Sequence, residues 1–140
     1  MTVIAFALIT AISTTAVAAE PAILTGTVTH VRDGDTIEVG KVPIRLNGVS
    51  APELKEALGN ASKKFMRDLV LGKPVRCELN GKKTYDRLVG TCYLSDIDIG
   101  VAVTRAGLAL DCPRYSGGRY KAVETVAGRD RIELPKYCES

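Results

Sequence analysis

Alternating polar and apolar positions begin shortly after residue 20 and predict a sheet. Thr25, Thr27 and Thr29 are separated by apolar residues or glycine, the period of two expected of a strand with one buried face. Residues 36–39 and 42–46 predict two more short strands, joined by a tight Gly-Lys hairpin turn. The first part of the chain is therefore predicted to be β.

The apolar period then changes from two to between three and four. Leu58, Ala61, Phe65 and Leu69 recur at helical spacing and predict a helix that buries these four side chains. Gly72 follows at the position that commonly ends a helix.

The second half of the chain predicts a hairpin followed by helices. Residues 73–79 and 88–94 have strand character around an Asn-Gly-Lys-Lys turn at 80–83. The remaining predicted elements are a helix N-capped by Asp98 and closed by Gly107, a strand at 108–110 and a helix at 120–127.

These elements predict a mainly β protein with helices, in the α+β class. A small closed antiparallel barrel flanked by helices would leave no exposed strand edges. An open α+β sheet fits the same pattern, and periodicity alone does not choose between the two.

The amino-terminal segment is predicted to be a secretory signal peptide. Residues 1–19 carry no charge and end in small residues, which favours cleavage near Ala19. An uncleaved anchor is the alternative, although the apolar run is short for crossing a bilayer. Cleavage leaves 140 − 19 = 121 residues, enough for one domain at 20–140. We expect a secreted or periplasmic protein with no stable membrane insertion after cleavage.

The cysteine content agrees with an oxidising compartment. There are four cysteines, and none of them forms a C-x-x-C pair of the kind that zinc and redox sites use. Of the three possible pairings we favour Cys77–Cys92, on two strands of one hairpin, and Cys112–Cys138, which would tie the tail to the body. Free buried thiols are the alternative.

The formal net charge of +3 is mildly basic. It is far below the single-sign field of a protein that coats DNA. The charge permits a nucleic-acid partner without requiring one.

Two arginines and three acids carry the candidate chemistry. Guanidinium groups such as those of Arg45 and Arg87 bind phosphate oxygens in a fork geometry. Asp33 and Asp35 carry the oxygen ligands that a hard divalent cation prefers, and Glu53 can orient or deprotonate water. Together these side chains suit the cleavage of a phosphodiester bond.

Two of these segments also have purely structural interpretations. Residues 33–35, Asp-Gly-Asp, are an ordinary turn sequence. Ser50 and Glu53 have the spacing of a capping box ahead of a helix, and Pro52 would suit its first turn. The local sequence leaves both interpretations open.

The tripeptide Tyr85-Asp86-Arg87 is similarly ambiguous. Arg87 could form a surface salt bridge with Asp86 or a neighbour, which would contribute little. Tyr85 could stack on a nucleobase or pack at the rim of the fold.

Taken together, four segments resemble the staphylococcal-nuclease-like (thermonuclease) family. The segments that carry the resemblance are residues 28–36, 44–53, 85–90 and 103–109, which occur in the family's order and spacing. The similarity covers about residues 24–112. It implies a five-stranded OB-fold barrel flanked by helices.

The resemblance also implies roles for individual side chains. Arg45 and Arg87 match the arginines that bind the scissile phosphate and stabilise its transition state. Glu53 matches the glutamate that activates or positions water, and Tyr85 matches a tyrosine near the nucleotide.

The implied metal site contains the one departure from the family pattern. Asp35 matches a direct calcium ligand, Asp33 a carboxylate that acts through water, and Ala51 a residue whose backbone carbonyl binds calcium. Ser50 occupies the position of a second ligand aspartate. Because calcium affinity depends on the number of charged ligands, we expect weak binding of Ca²⁺.

Two functions from different classes follow. The first is an exported, monomeric, metal-dependent endonuclease that hydrolyses DNA or RNA. The second is a catalytically weakened or inactive barrel that binds an anionic polymer or a partner protein in the envelope. A structural module of an exported assembly is a third possibility. Arg114 and Arg119, in a segment outside the family pattern, either extend a phosphate-binding rim or face solvent.

Overall fold

The computed structural model describes residues 11–140. The predicted signal peptide at 1–19 lies partly outside the described residues, and its cleavage stays a prediction. Residues 11–21 have no regular secondary structure and are exposed to solvent. Within residues 11–140, no helix has the length and apolar character needed to span a membrane.

The described chain contains short strands followed by short helices. The strands are β1 (Ala22–Asp33), β2 (Thr36–Val39), β3 (Val42–Leu46), β4 (Val49–Ser50), β5 (Pro74–Thr84), β6 (Arg87–Leu94), β7 (Ile97–Asp98) and β8 (Leu110–Asp111). The helices are α1 (Gly59–Val70), α2 (Ile99–Arg105), α3 (Pro113–Ser116) and α4 (Val126–Arg131), with 3₁₀ turns at Lys121–Val123 and Lys136–Cys138. The predicted α+β class with a mainly β core is confirmed.

Five strands pair in a ring. Their order is β3-β2-β1-β5-β6, with antiparallel neighbours, and a parallel pairing between β3 and β6 joins the two ends. That pairing places Arg45 beside Val89 and Leu46 beside Gly90. It favours the closed barrel over the open sheet. The buried interior is apolar, and its members include Val28, Val31, Ile37, Ile44, Leu46, Met66, Val70, Val75, Ile99 and Val103.

The turn of the β5–β6 hairpin differs from the prediction. Strand β5 continues through the Asn-Gly-Lys-Lys sequence at 80–83, with an irregular register between Leu79 and Lys83. The chain reverses instead at Tyr85-Asp86, where Tyr85 has a φ of 56°. Gly81, at φ 80°, accommodates an irregularity within the strand rather than a hairpin turn. The hairpin is therefore longer than predicted, and Arg87 directly follows its turn.

The predicted helices need three corrections. The first helix begins at Gly59, with Leu58 at its N-cap, so Ser50 and Glu53 do not form a capping box. Its fully buried side chains are those of Ser62, Met66 and Val70, whereas Ala61 is exposed. The buried face is thus displaced by one position from the predicted one. The helix predicted at 120–127 is a 3₁₀ turn at Lys121–Val123 followed by α4.

The strand predicted at 108–110 is instead β8 at Leu110–Asp111, whereas the predicted N-cap and cysteine pairing agree with the structure. Asp98 is the N-cap of α2, and its side chain accepts hydrogen bonds from the backbone N–H groups of Gly100 and Val101. Both favoured disulfides are present, Cys77–Cys92 across the β5–β6 pair and Cys112–Cys138 between α3 and the tail. The predicted pairing of the cysteines is confirmed.

Candidate active site

A cleft of about 740 Å³ opens at one end of the strand ring. Its lining comes from the β1–β2 turn, β3, the loop after β4, the β5–β6 turn and the tail of the chain. The predicted site residues that line it are Asp33, Asp35, Arg45, Glu53, Tyr85 and Arg87. Side chains far apart in sequence therefore share one concave surface.

Arg45 is held in a fixed position in β3. Its Nη1 donates hydrogen bonds to the carbonyls of Leu46 (2.8 Å) and Val49 (2.6 Å). Its Nη2 lies 3.3 Å from Oδ2 of Asp35. With the side chain only 14% exposed, this guanidinium is orientated before any ligand arrives.

Arg87, the first residue of β6, is less fully engaged. It donates from Nη1 to the Thr36 hydroxyl (3.1 Å) and from Nε to the Thr84 carbonyl (3.3 Å). Across residues 11–140, no carboxylate lies within 4.0 Å of its guanidinium nitrogens. Arg87 therefore offers a positive charge to an anion in the cleft.

The predicted alternative of an Arg87–Asp86 salt bridge is wrong. Both carboxylate oxygens of Asp86 are bound by Arg32, at 3.0 and 2.8 Å. These hydrogen bonds lower the pKa of Asp86 below its ordinary value. Arg32 thus binds the Asp86 carboxylate, and Asp86 forms no salt bridge with Arg87.

Asp35 is a buried acid at the base of the cleft. Its Oδ2 accepts a hydrogen bond from the backbone N–H of Ala51 (2.8 Å), in addition to the contact with Arg45. Burial, with a smaller contribution from the nearby charge of Asp33, raises the pKa of Asp35 to about 7 against the opposing effect of Arg45. The cost of desolvation exceeds the stabilisation that one arginine provides.

The Asp-Gly-Asp turn owes its shape to close packing. Oδ1 of Asp33 accepts a hydrogen bond from the backbone N–H of Asp35 (3.0 Å), as in an ordinary turn of this sequence. A Cβ on Gly34 would lie 1.9 Å from Oγ of Ser62 in α1 and 2.8 Å from Cβ of Ala51. Glycine is required because the turn contacts both the helix and the loop after β4.

Ser50 lies in a short strand and not in a helix cap. It pairs with Leu110 across the β4–β8 pair and is 2% exposed. Its hydroxyl is uncharged where the resemblance places an aspartate. Neither Ser50 nor Ala51 lines the cleft, although Ala51 contacts Asp35 through its N–H group.

Glu53 projects from the loop between β4 and α1. Its backbone N–H donates to Oε2 of Glu56 (2.8 Å), and its carbonyl packs so closely on Gly59 that a Cβ there would lie 2.0 Å away. Within residues 11–140 the Glu53 carboxylate has neither a hydrogen bond nor an ion pair. This acid is exposed, and its carboxylate is available to water or substrate.

The residues that the resemblance assigns to a hard divalent cation carry oxygen donors. They are the carboxylates of Asp33 and Asp35, the Ser50 hydroxyl and the Ala51 carbonyl, which suit calcium in kind. Over the described part of the chain, no three His, Cys, Asp or Glu side chains are grouped as a metal site. The donors fit such a cation chemically but supply little negative charge.

Several lining residues were not identified from the sequence. Lys82 and Lys83 line the cleft because β5 extends past its predicted end. Tyr115 lines it because α3 packs on the turn after β3, and Tyr137 lines it because the Cys112–Cys138 disulfide brings the tail to α3. The predicted cysteine pair was the only sequence signal for that arrangement.

Arg114 and Arg119, in contrast, are not among the lining residues. Arg119 forms an ion pair with Asp98 at 2.9 Å and donates to the Tyr93 hydroxyl. This arginine stabilises the segment before the 3₁₀ turn at Lys121–Val123 and does not extend the cleft.

Residues 43–134, well over half of the chain, match the protein family described as staphylococcal nuclease homologue. This chain belongs to that family. The resemblance identified from the sequence motifs is thereby confirmed.

Curated relatives agree with this membership. A protein of Escherichia coli O157:H7 named "uncharacterized endonuclease" is 38% identical over 96 residues, which cover 65% of this chain and 63% of the relative. A Haemophilus influenzae protein of the same name is 33% identical over 94 residues, covering 64% and 53%. The succinoglycan biosynthesis protein ExoI of Rhizobium meliloti is 33% identical over 107 residues, covering 68% and 56%. The chain thus spans between about half and two thirds of these relatives.

Proposed function

We propose that this staphylococcal nuclease homologue is an exported endonuclease that hydrolyses phosphodiester bonds of DNA or RNA. The observation that carries the proposal is the shared cleft of Arg45, Arg87 and Glu53. The endonuclease names of two relatives support it. The two disulfides support an oxidising location, either secreted or periplasmic, and we expect the chain to act as a monomer.

The two arginines would bind and stabilise the reacting phosphate. Arg45 is already orientated by two backbone carbonyls, and Arg87 carries no competing carboxylate among residues 11–140. Preorganised charge is effective because it needs no rearrangement as negative charge develops on the phosphate oxygens. Glu53 would hold water by a hydrogen bond and accept its proton. Tyr85, 94% exposed at the cleft, would contact the nucleotide.

Asp35 and Asp33, with Ser50 and the Ala51 carbonyl, would hold a weakly bound Ca²⁺. When bound, such a cation supplies positive charge that offsets the charge of the substrate phosphate. Burial without full compensation, which raises the pKa of Asp35 to about 7, is the observation that supports a cation there. The neutral Ser50 side chain limits its affinity.

A second candidate function is a barrel that binds an anionic polymer or a partner protein without cutting it. Ser50 is the specific observation that favours it, because the arginines are retained where the metal-binding acids are reduced. Binding would then weaken with added salt, and calcium would not stimulate hydrolysis.

The proposed function is tested by hydrolysis of single-stranded DNA with calcium and with a chelator. We expect calcium-stimulated cutting by the parent and a loss of roughly 10²–10³ in kcat for Arg45→Ala. Arg76→Ala is the matched control, because Arg76 pairs with Glu78 outside the cleft and should keep full activity.

Parent and variants should be purified in parallel to exclude contaminating nuclease, and circular dichroism should show that Arg45→Ala is folded. A folded Arg45→Ala protein that cuts as fast as the parent would refute the proposed role. Salt-sensitive binding without cutting by the parent would support the second candidate.

A further inference from the structure

The tail of the chain forms one side of the cleft. Tyr115 in α3 and Tyr137 in the 3₁₀ turn Lys136–Cys138 both line it, and together we call them the tyrosine wall. Their side chains are 46% and 50% exposed. Tyr120, only a few residues from α3, is 1% exposed, so aromatic rings in this region are not exposed by default.

The α3 half of the wall is fixed to the barrel. The side-chain amide of Asn47 donates to the Tyr115 carbonyl (3.1 Å), and the Cys112 N–H donates to the Gly48 carbonyl (2.9 Å). A Cβ on Gly48 would lie 2.4 Å from Cβ of Ser116, so α3 sits directly on the turn after β3. Tyr115 is therefore positioned by the turn that directly follows the strand carrying Arg45.

The Tyr137 half of the wall depends on one covalent bond. Residues 133–140 make no hydrogen bond or ion pair with residues 11–132; their hydrogen bonds, from Cys138 to Pro135 and from Glu139 to Lys136, are internal. Cys138, adjacent to Tyr137, is fully buried in its disulfide with Cys112. The disulfide is thus the feature that holds this ring at the cleft.

A half-exposed ring in a cleft lined by arginine and lysine suits a specific ligand chemistry. Aromatic rings stack on the flat faces of nucleobases, while cationic side chains bind the phosphates beside them. Bases in a duplex are already stacked on one another, whereas those of a single strand can present a free face. Lys82, Lys83 and Arg87 line the same cleft as the wall and supply the cationic part.

We propose that Tyr137, positioned by the Cys112–Cys138 disulfide, stacks on a nucleobase of a single-stranded polynucleotide bound in the cleft. The proposal rests on the proposed function, since it assumes that the phosphate of that strand binds at Arg45 and Arg87. It assigns the tail a role in substrate binding in addition to its role in closing the fold.

Binding of a fluorescent single-stranded oligodeoxynucleotide, measured in calcium-free buffer, tests the proposal. Tyr137→Ala should weaken binding roughly 5- to 150-fold, the effect of losing one stacked base. Tyr137→Phe keeps the ring and should bind like the parent. An oligonucleotide of equal length with abasic sites should bind parent and Tyr137→Ala equally. Unchanged affinity of Tyr137→Ala for the intact strand, or an equal loss on the abasic strand, would overturn the proposal.

The two disulfides provide a matched pair of variants for the positioning step. Cys112→Ala/Cys138→Ala should lose affinity for the intact strand to about the same extent as Tyr137→Ala. Cys77→Ala/Cys92→Ala removes the disulfide within the β5–β6 pair and should keep that affinity, even though its melting temperature falls. Equal affinities for both double variants would overturn the role of the disulfide. If a double variant fails to fold, the comparison of Tyr137→Ala with Tyr137→Phe decides whether the Tyr137 ring contributes to binding.

The same measurements separate this proposal from the nuclease itself. If the parent cuts DNA and Tyr137→Ala cuts and binds DNA as well as the parent does, the proposed role of the tyrosine wall is wrong and the proposed nuclease function stands. A parent that does not cut, together with Tyr137→Ala that binds the intact strand more weakly than the parent and the abasic strand equally, would keep the tyrosine wall and overturn the nuclease.

Discussion

The two sides of the cleft are unequally equipped. The arginine side has two guanidinium groups, that of Arg45 fixed by backbone carbonyls and that of Arg87 without a carboxylate partner in residues 11–140. The carboxylate side has two acids, Asp33 and Asp35, and the position that matches the family's second ligand aspartate holds the neutral, buried Ser50, which does not line the cleft. Under the proposed function, the chain would therefore bind phosphate well and a metal ion weakly.

Asp35 connects the two sides. Its carboxylate contacts Arg45 at 3.3 Å on the arginine side and has Asp33 nearby on the carboxylate side. A change in its charge should therefore affect the arginine as well as any bound cation. Substitutions at Arg87, Asp35 and Ser50 test whether the two sides differ in this way.

The largest effect is expected on the arginine side. We expect Arg87→Ala to lower kcat/KM for single-stranded DNA by roughly 10²–10³, because one preorganised positive charge is lost from the transition state. Arg87→Lys should recover only part of this loss, since an ammonium group lacks the fork geometry.

Arg32→Ala is the structural control for that measurement. It frees Asp86 but removes no group assigned to the phosphate, so its loss should be smaller than that of Arg87→Ala. Equal losses would show that the order of the Tyr85-Asp86 turn matters more than the Arg87 charge.

A smaller effect is expected for the pH dependence of stability. Between its ordinary pKa near 3.8 and its folded value of about 7, the Asp35 carboxyl binds a proton in the native state and not in the unfolded state. Its contribution to the free energy of unfolding is therefore full below pH 3.8 and is lost as the pH rises towards 7.

Asp35→Asn removes this titration and keeps an oxygen that can accept from the Ala51 N–H. We expect the parent Tm to fall between pH 4.5 and pH 8 by on the order of 5 °C more than that of the variant. The measurement is thermal melting in a metal-free buffer. Parallel curves for the two proteins would show that Arg45 fully compensates the buried charge.

Local patterns predicted the elements better than the connections between them. The turn sequences at 33–35 and 40–41 predicted β2 and β3 with their observed bounds, because each turn directly precedes a strand. The Asn-Gly pair at 80–81 misplaced the hairpin turn, since the register of β5 on β6 is set by the whole strand pair. Nothing local indicates the parallel β3–β6 pairing, although it brings Arg45 and Arg87 together.

The residues of the site likewise divide into those that local motifs predicted and those that long-range contacts position. Arg45, Glu53, Asp35 and Arg87 were found because their chemistry is visible in short motifs, and the structure places all four in one cleft. The contribution of Tyr137 was not found, because it follows from a disulfide that folds the tail back to the cleft. Residues positioned by long-range contacts leave no periodic signal in the sequence.

The smallest effect is expected when a negative charge is added to the carboxylate side. This change is the most direct test of whether the two sides of the cleft differ. Ser50→Asp places a second buried acid near Asp35, so in a chelator it should lower the Tm relative to the parent. Added Ca²⁺ should reverse that loss and bind on the order of 10-fold more tightly than to the parent, because affinity follows ligand charge. Ser50→Asn changes the side chain without the charge and should show neither effect. If the calcium-dependent rise in Tm is the same in the parent and in Ser50→Asp, charge at position 50 does not limit cation binding. The difference that the residues indicate between the two sides of the cleft would then be wrong.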